Sequence, residues 1–279
     1  MPIAQSFYRV LARVRHNLTA FHTGGEGIHS PYLFYLVRYL MYDRNVYYAW
    51  IDIEQMRSAM LGVPKLLHIK DFGTGCDRSC LVQHIAKNCL ADRKTDELLF
   101  RLIIYLYGED RIHDQALQHL NIVELGTSLG LTTAYLAAAD SRNKVTTFEG
   151  ADEVLDIAKR NWNKLNLTNI TPILGNIDAT LPQWIELINK DSACVRVDLV
   201  FHDANHTAAA TLKYYENLRP LLHHKSIYVL DDIHYSREME QAWEMLKARP
   251  EVTSSMDLYR VGILFFDPCY LPKNYKLRI

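Results

Sequence analysis

From Asn121 to Leu230 short apolar runs alternate with stretches of helical periodicity, and this alternation restricts the fold more than any other feature of the chain. Strands are expected at Asn121–Leu125, Val145–Phe148, Ile170–Leu174, Val197–His202 and Ser226–Leu230. Helices are expected between them at Thr132–Ala139, Asp152–Leu165, Leu181–Asn189 and Ala208–Leu222. The second of these sets Val154, Ile157, Ala158 and Leu165 on one face. Apolar strands joined by helices must be covered on both faces, so the expected architecture is α/β with a doubly wound, mostly parallel sheet. A last helix at Arg237–Ala248, capped by Ser236 with Met239, Trp243 and Leu246 inward, precedes two strand-like runs within Val252–Phe266. Little sequence separates those runs, so they form an antiparallel C-terminal hairpin on the sheet edge.

The first of these strands leads into a glycine turn, NIVELGTSLGLTT, at Asn121–Thr133. Ile122 and Val123 are apolar, Glu124 is acidic, and Gly126 and Gly130 precede the helix that begins near Thr132 and Thr133. Glycine permits open backbone angles and close approach to a ligand, while the first helical N–H groups attract a carboxylate or phosphate. About 20 residues on, KVTTFE ends in Glu149, at the distance where an acid reads ribose hydroxyls. A second glycine run, LLHIKDFGTG at Leu66–Gly75, leads instead to helical stretches at Ser79–Cys89 and Thr95–Tyr107 with no strand ending in an acid. The turn after Glu124 is therefore the nucleoside site, and the Gly73 loop is a structural turn or lid segment.

The remainder of the chain bounds its partners. With 31 Lys+Arg against 32 Asp+Glu there is no basic excess to grip a nucleic-acid backbone, and small-molecule chemistry is expected. Cys76, Cys80, Cys89, Cys194 and Cys269 show no CxxC pair, which fits scattered buried thiols in a reducing, cytoplasmic setting. Ile3, Phe7, Val10, Leu11, Val14, Leu18 and Phe21 recur at helical spacing beside Arg9, Arg13 and Arg15. This basic amphipathic helix is expected to pack on its own protein rather than on a membrane. A second helix starts in GIHSPYLFYLVRYLMY, with Ser30 as N-cap and Pro31 at the first helical position. Tyr32, Tyr35, Tyr39, Tyr42, Tyr47 and Tyr48 either fill an aromatic core or line a pocket or subunit contact. Residues 1–115 thus form an N-terminal helical extension, acting as a lid or in homodimerisation, and residues 116–279 form the cofactor-binding domain.

Ligands of open α/β sheets bind at the carboxyl ends of the strands. Each predicted strand ends in polar residues: Glu124; Glu149; Asn176 with Asp178; Asp203 with His206; and Asp231 with Asp232 and His234. Single acids at such places cap helices, but their joint placement marks a site.

The set VELGTSLGLTT, FEG, GNIDATLP, DLVFHDANH and IYVLDDIHY resembles the class I S-adenosylmethionine-dependent methyltransferases over about Asn121–Phe266. Within them it is most similar to small-molecule O-methyltransferases of the catechol and caffeoyl-coenzyme A type and to uncharacterised bacterial relatives with a GIHSP stretch. The resemblance implies that Glu124, Gly126, Thr127, Ser128 and Gly130 form the first cofactor motif. Thr132 falls where the methionine carboxylate is held, Glu149 and Gly150 fall at the ribose, and Asn176, Ile177 and Asp178 flank the adenine. It implies further that Asp203 is shared between cofactor and metal and that Asp231 and Asp232 complete a divalent-metal set suited to Mg²⁺. His206 stands where the metal-dependent type carries a lysine base, and Asp232 stands in place of an amide. Histidine can take a hydroxyl proton, or it can orient Asp203 by a hydrogen bond.

The expected activity is methyl transfer from S-adenosylmethionine to a hydroxyl oxygen of a small molecule, with Asp203 and His206 as catalytic residues and Mg²⁺ as an assisting ion. A cofactor-binding module without turnover stays open, because fold does not fix function. A nicotinamide-dependent oxidoreductase shares the turn and the acid, but Ser128 replaces the middle glycine of GxGxxG.

Overall fold

The computed structural model describes residues 3–21, 24–69, 78–107, 119–190 and 195–278. Its contacts divide the chain into two compact units, Met1–Asp43 with Arg196–Ile279, and Arg44–Val195. The expected boundary at residue 115 and the Asp71–Gly75 loop lie outside the described residues.

The first unit opens with helix α1 (Ile3–Thr19) and helix α2 (Pro31–Tyr42). Helix α1 packs on its own unit through Tyr8, Arg9, Ala12 and His16: the Arg9 guanidinium lies 3.8 Å over the Tyr235 ring, and the Tyr259 hydroxyl donates to the Arg9 carbonyl at 2.9 Å. The expected apolar stripe is not the packed face. Phe7, Val10, Leu11, Val14, Leu18 and Phe21 are each more than half exposed. Polar partners for Tyr8, Arg9 and His16 on the rest of the unit fix the helix by its other side, which the 3.6-residue period alone does not disclose. In α2 the Ser30 hydroxyl accepts from the Leu33 N–H, Pro31 occupies the first turn, and Leu33, Leu36 and Val37 are buried.

The second unit contains helix α3 (Tyr48–Met60), strands β1 (Leu66–Ile69) and β2 (Arg78–Leu81), and helices α4 (Val82–Asn88) and α5 (Arg93–Leu106). The predicted helix at Ser79–Cys89 is corrected here: its first residues pair as an antiparallel strand with β1, Leu67 opposite Cys80, and the helix starts only at Val82. Both strands are only four residues long, and β2 has no buried residue, so it shows no strand alternation in the sequence. Strand β3 (Asn121–Leu125), helix α6 (Leu131–Ala138), strand β4 (Lys144–Glu149), helix α7 (Asp152–Lys164), strand β5 (Ile170–Leu174) and helix α8 (Ile177–Lys190) follow. The three strands are parallel in the order β3-β4-β5, with Leu125 beside Phe148 and Glu149 beside Leu174. Trp50, Ile53, Phe100, Leu131, Tyr135, Leu155 and Trp162 form one buried cluster. Tyr47 joins it with ring centroids 4.9 Å from Trp50 and 4.7 Å from Phe100, so this tyrosine fills core, whereas Tyr32, Tyr35 and Tyr48 are exposed.

The first unit is completed by strand β6 (Val197–His202), helix α9 (Ala208–Leu218), strand β7 (Leu222–Leu230), helix α10 (Arg237–Lys247) and strands β8 (Ser254–Asp257), β9 (Gly262–Phe265) and β10 (Lys273–Lys276). Its strands run in the order β10-β8-β9-β7-β6. The pairs β6/β7 and β10/β8 are parallel, and β8/β9 and β7/β9 are antiparallel. The expected C-terminal hairpin is β8 and β9. It is seated on α10, because a Cβ on Gly262 would lie 2.7 Å from the Trp243 ring. The architecture is therefore α/β, a mostly parallel sheet flanked by helices with an antiparallel C-terminal hairpin.

Cys80 is half-buried, while Cys89 and Cys269 are exposed rather than buried as expected; Cys76 and Cys194 lie outside the described residues. Among the described residues no helix is long and apolar enough to cross a membrane.

Candidate functional site

In the second unit the turn between β3 and α6 alternates positive-φ residues, Gly126 at 99°, Ser128 at 51° and Gly130 at 75°. The N–H groups of Gly126 and Thr127 both donate to the Phe148 carbonyl at 3.1 Å, which pins the turn to the end of β4. Gly130 is required by packing as well as by φ. A Cβ there would lie 2.5 Å from Trp162 Nε1 and 2.7 Å from the Ala158 Cβ, and Trp162 Nε1 donates to the Gly130 carbonyl at 2.8 Å. Asn161 donates to the Leu129 carbonyl at 2.9 Å, so α7 clamps the turn from behind.

Two acids end the strands in different ways. Glu124 is fully buried and accepts from the hydroxyls of Thr133 and Thr147, while Thr127 and Thr147 hydroxyls meet at 2.6 Å. Its carboxylate braces β3, β4 and the first turn of α6 against one another. Glu149 stays partly exposed at the rim. Its Oε2 accepts from the Ser128 N–H at 2.8 Å and its Oε1 from the Ala151 N–H at 3.0 Å. Burial raises its pKa, and the N–H groups of Ala151, Ser128 and Gly150 oppose that shift by stabilising the charged form. A carboxylate held by both oxygens, with lone pairs remaining, suits the vicinal hydroxyls of a ribose.

Thr132, Asn176, Ile177 and Asp178, also expected at the cofactor, lie in this unit as well, whereas Asp203 belongs to the first unit. Thr132 is nearly buried beside the Asp96 carboxylate. Gly175, with φ 133°, donates to the Glu149 carbonyl at 2.8 Å and brings Asn176 to the start of α8. The Asn176 side chain accepts from the Asp178 N–H at 3.0 Å, Ile177 is half-buried and Asp178 is exposed.

The first unit holds the other expected residues. His206 Nε2 lies 3.5 Å from Asp203 Oδ1, and its ring packs on Tyr235 with centroids 5.6 Å apart. Asp231 is buried at the end of β7, its N–H donating to the His202 carbonyl at 2.9 Å. Burial, together with the neighbouring charges of Asp203 and Asp232, raises its pKa well above the usual carboxylate range, and Arg260, 3.4 Å away, acts in the opposite direction. Asp232 adopts φ 52° in the turn that follows, where its carbonyl accepts from the Tyr235 N–H. The three aspartates therefore feel one another electrostatically. Among the described residues, however, the group of three metal-capable side chains whose ligand atoms converge within 4.8 Å is His16, His234 and Asp257, not Asp203, Asp231 and Asp232. The expected Mg²⁺ ligands are thus not arranged as a metal shell, and no chemical step is assigned to that ion.

Sequence patterns alone did not disclose Arg260, Tyr235 or His202. Arg260 follows a strand break with no motif around it, and Tyr235 acts only as a ring beneath His206. His202 ends an apolar strand, yet its Nδ1 accepts from the Tyr228 hydroxyl at 2.7 Å and its Nε2 donates to the Ala204 carbonyl at 3.2 Å. Burial lowers its pKa to about 3, so it is a neutral support beneath the Asp203 loop.

Residues 123–233 match the model of a family described as a methyltransferase domain. Among proteins of curated function none matches this sequence. Solved structures of the same fold include the O-methyltransferase of Bacillus cereus in complex with S-adenosylhomocysteine, at 17% identity and TM-score 0.54 over 80% of this chain and 92% of that one. The O-methyltransferase TomG of Streptomyces achromogenes, solved with S-adenosylmethionine, aligns at 13% identity and TM-score 0.55 over 96% and 99%. The Podospora anserina methyltransferase PaMTH1, bound to S-adenosylhomocysteine, aligns at 12% identity and TM-score 0.54 over 84% and 94%. Residues 123–233, which hold the glycine turn and the β4 acid, are thus similar to a methyltransferase domain, on a fold shared with these O-methyltransferases.

Proposed function

We infer that the protein transfers the methyl group of S-adenosylmethionine to a hydroxyl oxygen of a small acceptor. The observation that carries this reading is Glu149, whose two oxygens are fixed by the N–H groups of Ser128 and Ala151 at the rim of the glycine turn. Gly126, Thr127, Ser128, Gly130 and Thr132 would cradle the methionyl end, Glu149 and Gly150 the ribose, and Asn176, Ile177 and Asp178 the adenine. Bound cofactor supplies an electrophilic methyl group, so the protein need mainly align a nucleophilic oxygen and remove its proton.

That proton is assigned to His206. Asp203 Oδ1 lies 3.5 Å from Nε2, and the Tyr235 ring packs against the imidazole with centroids 5.6 Å apart, so both orient the ring. The O-methyltransferase names of TomG and the Bacillus cereus protein support an oxygen acceptor. Residues 116–279 are taken as the catalytic domain, acting in the cytoplasm, and the N-terminal helices as the part that forms a homodimer or covers the acceptor.

The test is methyl transfer from isotopically labelled S-adenosylmethionine over a panel of phenols, sugars and acyl thioesters, with Mg²⁺ and with chelator. Labelled product with an oxygen-methylated acceptor is expected, and His206→Ala should lower the rate by about 10²–10⁴-fold while cofactor affinity stays unchanged. Cofactor binding without turnover on any acceptor would favour a binding module instead.

A further inference from the structure

Within the first unit α1 meets the C-terminal hairpin at a buried group of two histidines and a carboxylate. His16, His234 and Asp257 have side chains only 2%, 5% and 4% exposed, and one ligand atom from each lies within 4.8 Å of the other two. His16 Nδ1 is 3.2 Å from Asp257 Oδ1, and His234 Nε2 is 3.0 Å from Asp257 Oδ2. His16 Nδ1 makes no hydrogen bond of acceptable geometry despite its burial, although it points into this cluster. A buried ring nitrogen in that condition is unusual, because buried polar atoms nearly always find a partner.

On the far side of the rings, His16 Nε2 lies 3.0 Å from the Leu277 carbonyl oxygen, whereas His234 Nδ1 is 3.4 Å from Glu240 Oε1 without a hydrogen bond of acceptable geometry. Glu240 is itself held by the Tyr8 hydroxyl and the Arg15 guanidinium. Asp257 Oδ1 accepts from the Tyr259 N–H at 2.9 Å, and the Tyr259 ring stacks on His234 with centroids 5.5 Å apart. For His16, one ring nitrogen facing a common centre and the other held by a backbone carbonyl is the arrangement that orients a metal-ligating histidine.

We propose that His16, His234 and Asp257 bind one transition-metal ion, Zn²⁺ by its preference for two imidazoles and a carboxylate, which fastens α1 to strand β8. Metal–ligand bonds of about 2.0–2.2 Å set tetrahedral ligand atoms roughly 3.3 Å apart. Each ring meets its own Asp257 oxygen at 3.2 or 3.0 Å, and one ligand atom from each residue lies within 4.8 Å of the others, so small side-chain rotations bring the three onto one ion. A water completes the shell. Two imidazole donors select against Mg²⁺, which takes oxygen ligands. Burial of all three side chains marks a fastening site rather than one that turns over substrate. The site uses none of the residues assigned to methyl transfer.

The test uses the full chain, stripped with chelator and then titrated with Co²⁺ or Zn²⁺ in excess Mg²⁺, so that hard oxygen sites are already filled. One equivalent of Co²⁺ with the visible absorption of a four-coordinate, nitrogen-ligated ion is expected, displaced by Zn²⁺. Zn²⁺ at about a hundredfold over its Kd should raise Tm by roughly 5 °C. His16→Ala should abolish uptake and the Tm rise while S-adenosylmethionine binding, measured separately, persists; Asp203→Asn should retain both metal effects. Absence of stoichiometric uptake by the wild-type chain overturns the proposal, whether or not the variant folds. Uptake that survives in His16→Ala, or that is lost in Asp203→Asn, overturns it equally.

Discussion

The Ser128 N–H donates to Glu149 Oε2 at 2.8 Å, so the residue that replaces the middle glycine of the turn is tied directly to the acid at the end of β4. Ser128 reaches this position with φ 51°, a left-handed conformation that the bond helps to hold. Glu149 therefore shapes the turn before any ligand arrives. In Glu149→Gln an amide can accept only one of the two N–H bonds and sets a donor against the other. Loss of a charge-assisted bond costs about 1.5–3 kcal/mol, so S-adenosylmethionine should bind roughly 10- to 100-fold more weakly by calorimetry. Unchanged affinity would remove Glu149 from the cofactor site.

Gly130→Ala forces a Cβ against Trp162 and Ala158 at a residue with φ 75°. Overpacking costs about 1–3 kcal/mol and the left-handed conformation about 1–2 kcal/mol more for a residue with a Cβ. Urea unfolding should show a loss of about 3 kcal/mol, with cofactor binding weakened because the turn must shift. A loss below about 1 kcal/mol would show that α7 yields easily and that the turn is not rigidly clamped.

Much of this was legible in the chain, for a physical reason. Asn121–Leu125, Ile170–Leu174 and Val197–His202 emerge with their expected bounds, because strands flanked by helices leave a sharp change of period at each end. Strand β7 begins earlier than expected, at Leu222, since His223, His224 and Lys225 hide a strand that is only partly buried there. Strand β10 was missed because Lys273, Asn274 and Lys276 alternate with the single buried Tyr275, a pattern too polar and too short to register. The site divides in the same manner. Turn glycines and strand-end acids are local and visible, whereas the pairing of His16 with Asp257 joins residues 241 positions apart in sequence. Periodicity also identified the apolar stripe of α1 without telling which face is covered.

His202 gives a pH dependence whose sign follows from its environment. Its folded pKa is about 3 against an ordinary 6.5, lowered by burial, so below pH 6.5 the unfolded chain takes up a proton that the folded chain refuses. Its contribution is fully present above pH 6.5 and is lost as pH falls toward about 3. The His202 ring resonance should show no titration between pH 8 and 5, and His202→Gln should flatten the fall of Tm over the acid range. A ring titrating near 6.5 contradicts the buried, neutral assignment.

Asp231 acts in the opposite sense. Burial and the charges of Asp203 and Asp232 raise its folded pKa above the unfolded value, so its contribution is fully present below the unfolded carboxylate range and is lost as pH rises from there through the raised folded value. Asp231→Asn should stabilise the ligand-free protein at neutral pH by about 1 kcal/mol, a Tm gain of roughly 2–4 °C. A large loss instead would mean that the Arg260 contact, at 3.4 Å, outweighs the repulsion.

Calorimetric titration of the full chain with S-adenosylmethionine, S-adenosylhomocysteine and NAD tests the central claim most directly. Saturable binding of both sulfur compounds with no heat from NAD is the predicted result, and Glu149→Gln should weaken both. Binding of NAD without either sulfur compound would contradict the methyltransferase account and assign the Gly126 turn to a different chemistry.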